Sequence, residues 1–255
     1  MPTDWARGPW DRRFLHGGPP AALLAHGLER ERRDDAALLI TRLTVDLMRP
    51  VPQAPLTLNS HTVRSGRRIR LAQAELLAGD TPVARATGLM LHRDDAGFDP
   101  DSPSAEQASP IAHWGRLAPK QPEAFGDGTP LFHRATEFRP VPRTPERPTF
   151  AIWIRIPYAL LPDVPLSRLE YVAAISDYVN AVGGMANPER SGFINADISL
   201  YLHRDAAGEW ICLESVARVD RAGVAVSNVH LHDASGLLGS VSAACLRQPS
   251  KPESE

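Results

Sequence analysis

The sequence predicts an α+β protein built twice over: a helix followed by an antiparallel meander, then the same again. Three observations carry this. Apolar residues alternate in runs of strand length, turn-forming pairs separate the runs, and stations in the first half recur about 155 residues later. So long a period means duplicated domains rather than a solenoid, whose repeats span about 20–50 residues. A chain of 255 residues has room for a core of that size.

The first unit opens after Trp5 and Trp10 with the stretch Phe14 to Leu28, a helix whose start has Pro19 and Pro20 just inside it and His16, Gly17 and Gly18 immediately before it. Prolines suit a first helical turn, whose N–H groups lack intrahelical partners, and the glycines let other groups approach that end closely. Its solvated end is the charged run Glu29 to Asp35. Strand-like runs follow at Leu38 to Met48, Leu56 to Arg64, Arg68 to Ala78 and Pro82 to His92, parted by Arg49 to Pro52, Ser65-Gly66 and Gly79-Asp80. Asp94 to Pro130 then breaks every regular pattern with prolines and reads as a crossover. We place an N-terminal unit at 1–95, the proline-rich crossover at 96–130 and a C-terminal unit at 131–248.

In the second unit, strand signals at Leu131 to Phe138 and Thr149 to Ile156 precede a helix over Leu166 to Gly184, and four more follow it. These are Asn195 to Leu202, Glu209 to Val219, Val224 to His232 and Leu237 to Leu246. The helix is apolar almost all round, so it belongs inside the protein. Only a narrow sector carries acids, Glu170 and Asp177, and a carboxylate there is costly unless it is paired or used. Glu170 lies nearer the helix start, where the macrodipole favours it. The duplicates differ at this point. The first helix has no acid between Pro19 and Leu28, so one working site per chain is expected, supplied mainly by the second unit.

Composition removes several functions. A net charge of -2 gives no reason to expect nucleic acid or an anionic membrane as partner. No run approaches the roughly 18 apolar residues of a membrane span, and the first ten residues hold no apolar signal core. Cys212 and Cys245 cannot form a disulfide framework, and nothing near them has metal-ligand spacing, so no metal and no cofactor is expected. Both read as buried thiols, and the chain as cytoplasmic.

The order of several stations resembles the acyl-CoA thioesterase II type of double hotdog protein. They are Gly17-Gly18, Met48-Arg49-Pro50, Gly66-Arg67, Phe138-Arg139-Pro140-Val141, Trp153-Ile154-Arg155, Ser176-Asp177, Asp197 with Leu202-His203-Arg204, Glu209-Trp210, and Gly236 to Val241. The resemblance implies two fused hotdog domains, each a curved antiparallel sheet wrapped around a central helix, an acyl-CoA substrate and a homodimer. It also implies a catalytic trio of Asp, Ser or Thr, and Gln. The Asp falls on Asp177, while the hydroxyl position falls on Asn195 and the Gln position on Ser242. Two of the three depart from the family pattern.

The chemistry accounts for these residue types. Thioester hydrolysis needs a water deprotonated by a positioned carboxylate, typically worth 10²–10⁴-fold, and donors aimed at the developing oxyanion. Asp177 is the candidate base and Asn195 its companion, with Ser242 a short hydrogen-bonding side chain. Gly17 and Gly18 offer backbone donors at a helix N-terminus, and His16 and Tyr178 are candidate substrate contacts. His203-Arg204 is expected to fix a turn, and Arg64, Arg67, Arg68 and Arg70 to form a solvated hairpin tip. A Ser-nucleophile hydrolase would need a G-x-S-x-G elbow, which is lacking. The hydratase branch of the hotdog folds would have His five residues after the Asp, where Val182 stands. The rival reading is a double hotdog protein that binds an acyl chain with little or no hydrolysis.

Overall fold

The computed structural model describes residues 1–32, 35–94, 114–118, 129–146, 148–185 and 192–248. Most of the proline-rich crossover lies outside the described residues. In the first half, helix α1 (Gly18–Arg32) precedes strands β1 (Leu38–Asp46), β2 (Leu56–Ser65), β3 (Ile69–Ala78) and β4 (Thr81–His92). In the second half, a one-turn helix α2 (Phe132–Ala135) leads into β5 (Glu137–Val141) and β6 (Ala151–Arg155). Two helices follow, α3 (Arg168–Ser176) and α4 (Val179–Met185), then β7 (Phe193–Asn195), β8 (Asp197–Leu202), β9 (Ile211–Arg221), β10 (Val224–Asp233) and β11 (Gly236–Arg247).

All the strands join one antiparallel sheet in the order β2-β3-β4-β1-β8-β11-β10-β9-β6-β5, with β7 paired to β11. From β2 to β9 that order reads the same from either end once each strand is matched with its duplicate. The halves meet at β1 and β8, where Val45 faces Ile198 and Thr44 faces Ser199. These pairs join positions about one repeat apart in the sequence, so a local twofold axis passes close to Thr44 and Ser199. Chain duplication thus produces a pseudo-dimer with one sheet and a pair of central helices.

Helices α1 and α3 pack on each other and on one face of the sheet. From Leu169 to Ser176 every residue of α3 is buried, as an all-round apolar helix requires. Removing each such Leu, Ile or Val from water contributes about 1.5–3 kcal/mol. Ser167 caps α3, accepting from Glu170 N–H while the Glu170 carboxylate accepts from Ser167 N–H. Glu170 also meets His26 of α1 at 2.7 Å. The second acid of the helix sector is therefore engaged in holding α3 to α1.

Three expectations about elements are corrected. The helix over 166–184 is two helices, because the Asn195 side-chain amide donates to the backbone carbonyl of Asp177 (2.7 Å) and occupies an acceptor of the helical ladder. The run Leu131 to Phe138 starts as the helical turn α2, held by Thr136 Oγ1 donating to Phe132 O (3.0 Å), and sheet pairing begins only at Glu137 opposite Arg155. The run Asn195 to Leu202 is interrupted at Ala196, whose N–H bonds Ala244 O while its carbonyl accepts from Leu47 N–H. At the β2–β3 tip Arg64, Arg67 and Arg68 are exposed, while Arg70 donates to Glu31 O and Arg32 O and so caps the end of α1.

Candidate active site

Asp177 sits at the break between α3 and α4, against the N-terminus of α1, with its side chain 8% exposed. His16 Nδ1 lies 2.8 Å from Asp177 Oδ2, Asn195 Nδ2 donates to Oδ1 at 2.7 Å, and Gly18 N–H also reaches the carboxylate. Gly18 N–H is 3.1 Å from His16 Nδ1 as well, but one ring nitrogen cannot accept from Gly18 and donate to Asp177 together. Gly18 N–H stands between the two acceptors, and the tautomer of His16 sets which of them it serves. Burial raises the energy of the charged Asp177. The attraction and hydrogen bond of His16, with those of Asn195 and Gly18, outweigh it and hold the carboxyl below the usual aspartate range. The group is ionised at neutral pH. A carboxylate has about four lone-pair sites, so the contacts from His16, Asn195 and Gly18 leave at least one open.

The glycines explain how the carboxylate fits. A Cβ placed on Gly17 would stand 2.6 Å from Asp177 Oδ1 and 2.7 Å from its Cγ, and one on Gly18 would stand 2.7 Å from Ala174 O. Pro19 and Pro20 have no N–H, and Ala21 N–H bonds Gly17 O. Of these residues, Gly18 therefore supplies the amide and the helix end supplies its positive field, both directed at Asp177. Gly17→Ala is expected to displace the carboxylate, cost about 1–3 kcal/mol of stability through overpacking and lower any activity that depends on Asp177. Paired thermal melts and thioester assays check this, and unchanged values in both would show that the contact is not needed.

An aromatic cluster packs against His16. The His16 ring centre lies 4.9 Å from Phe132 and 5.1 Å from Tyr178, and Phe138 meets Tyr178 edge-on at 5.4 Å. The Tyr178 hydroxyl donates to Thr136 Oγ1 at 3.1 Å, and burial pushes its pKa well above the usual value. Nearby His133 is pushed down to about 4, first by burial and then by His16 and Arg134, so it is neutral at physiological pH. Arg155, a potential partner for Asp177 by charge, pairs instead with Glu137 and Glu209.

The two halves of this chain each match a family model: residues 6–91 match the acyl-CoA thioesterase N-terminal domain and residues 103–246 the acyl-CoA thioesterase C-terminal domain. The chain belongs to the TesB-like acyl-CoA thioesterase family. Among solved structures it is similar to a candidate thioesterase from Novosphingobium aromaticivorans, at 22% identity over 92% of this chain and 88% of that one, with a TM-score of 0.73. An acyl-CoA thioesterase II from Mycobacterium marinum is 17% identical over 93% and 92%, at 0.64. A hot dog fold protein from Alicyclobacillus acidocaldarius is 15% identical over 98% and 92%, at 0.68. These likenesses show the double hotdog fold. Among curated proteins none matches the chain in sequence.

Within this TesB-like chain the predicted site residues separate into two groups. His16, Gly17, Gly18, Asp177, Tyr178 and Asn195 come together. Ser242 does not, and the expectation that it completes the group is corrected. Side chains alternate along a strand, and Val241, Ala243 and Cys245 of β11 are buried toward the helices. Ser242 therefore points to the other face, where it donates to Asn228 Oδ1 at 2.6 Å. The β11 residue paired with Asn195 is Cys245, whose Sγ lies 3.6 Å from Asn195 Oδ1. Sequence reasoning missed Cys245, Phe132 and His133. The alternation of β11 was a signal for the first; the others lie on a turn with no motif of its own.

Proposed function

We propose that this protein hydrolyses a fatty-acyl or related acyl-CoA thioester to the free acid and CoA, with water activated at Asp177. The observation that supports the reading best is the buried, ionised carboxylate of Asp177, met by His16, Asn195 and Gly18 with an acceptor site to spare. Water held there gives a proton to Asp177 as its oxygen attacks the thioester carbonyl carbon. The tetrahedral oxyanion then collapses, the C–S bond breaks, and the CoA sulfur leaves with the proton that Asp177 took up, which restores the carboxylate. Asn195 and His16 position the carboxylate rather than meet the thioester. Phe132, Phe138 and Tyr178 stand beside the pair, and their apolar rings suit a hydrocarbon chain. An acyl-CoA substrate implies a cytoplasmic setting, and the edge strands β2 and β5 are where a homodimer would pair its sheets.

A second reading also has an observation behind it: the carboxylate is already engaged by protein donors, as a structural or ligand-binding carboxylate would be. Thiol release from acyl-CoAs of graded chain length separates the two. Release well above the Asp177→Asn background for at least one chain length is the expected result. No release across the series, with acyl-CoA still raising the melting temperature, would leave a binding protein.

A further inference from the structure

On the opposite face of the sheet from Asp177, strands β9 and β10 bring three metal-ligating side chains together. His230 and His232 stand two apart on β10 and so point the same way. Glu214 of β9 is in register with His230. One ligand atom from each of the three lies within 4.8 Å of the other two. We propose that Glu214, His230 and His232 bind one divalent transition-metal ion of the zinc class.

The chemistry of the set fits that ion. Two imidazoles and one carboxylate are the donors of three-ligand zinc sites, which keep a further position for water, with metal–ligand distances of about 2.0–2.2 Å. Such distances bring tetrahedral ligand atoms to within about 3.5 Å of one another, so closing the site needs a movement of about an ångström. His230 is exposed and can turn to supply it. The other two ligands are already placed: His232 Nε2 is 3.1 Å from Glu214 Oε2. Thr149 Oγ1 donates to Glu214 Oε1 at 3.0 Å and fixes that carboxylate from behind, as outer hydrogen bonds do in metal sites. β9 and β10 are paired in regular register from Val229 to His232, and the ion would tie them together on the face that the central helices do not cover.

The test uses full-length protein free of any histidine tag and stripped with a chelator. Cobalt(II) titration followed by visible absorption, and zinc(II) titration against a chromophoric chelator, are expected to show one equivalent bound. Zinc should raise the melting temperature. His230→Gln, at an exposed position, should keep the metal-free melting temperature and the thioesterase rate while weakening zinc binding by about tenfold or more. Glu214→Gln should weaken it likewise. The absence of stoichiometric binding, or binding that neither substitution alters, would overturn the proposal.

Discussion

Asp177→Asn is expected to lower kcat by about 10²–10⁴-fold, the usual contribution of a positioned general base, with little change in KM. The substituted amide keeps an oxygen that can accept from Asn195 and fills nearly the same volume, so the chain should remain folded. It loses the charge that attracts His16 and the basicity that takes the proton from water. A fall in stability of about 1.5–3 kcal/mol, the usual range for a hydrogen bond to a charged group, is therefore expected. Asp177→Ala would be a poorer test, because it leaves the His16 and Asn195 donors buried without their acceptor. Thiol-release kinetics and far-UV circular dichroism on the same preparation distinguish lost chemistry from lost fold.

Asp233→Ala should cost about 3–5 kcal/mol of stability, the penalty for breaking a buried ion pair from one side. That is a large share of the 5–15 kcal/mol typical of a whole domain. The Asp233 side chain is fully buried and accepts from Arg204 Nη1 and Nη2, from Ala207 N–H at 2.8 Å and from Ser235 N–H at 2.8 Å. Arg204 also donates to Leu237 O at 3.0 Å, so one carboxylate organises both the turn after β8 and the β10–β11 hairpin. Burial opposes its charge, and these donors, Arg204 first, hold it below the usual range. The sign follows from that depression. Its stabilisation is present above the unfolded value of about 3.9 and is lost as pH falls through the lower folded value. Urea midpoints at neutral pH should drop for the variant, and its deficit against wild type should shrink in strong acid. A midpoint unchanged at neutral pH would show that the hairpin holds without the carboxylate.

Strands β1 to β4 fall within a residue or two of their sequence-based limits, because Arg49 to Pro52, Ser65-Gly66 and Gly79-Asp80 stop them locally. Local chemistry could not show the break at Asp177, which depends on the Asn195 amide arriving from a distant strand. The same limit applies to Ser242. Alignment by resemblance reached β11, but the pleat sends position 242 away from Asp177 and position 245 toward Asn195. Asp177 itself was legible as an acid on a buried helix. Its partnership with His16 was not, since the two lie in different halves and meet only when α1 and α3 pack. The Glu214, His230 and His232 cluster was hidden for a related reason: two ligands share a strand, but the third comes into range only through the β9–β10 register.

The most direct test of the central claim is the pH dependence of kcat/KM for an acyl-CoA that the protein hydrolyses, measured beside Asp177→Asn. A carboxylate held below its usual pKa predicts a rate that stays level from neutrality down to the lowest pH at which the protein remains folded. The variant should show no corresponding rate at any pH. An acid limb centred near neutrality would place the working proton on an imidazole, and activity retained in Asp177→Asn would remove the carboxylate from the chemistry; either result contradicts the account.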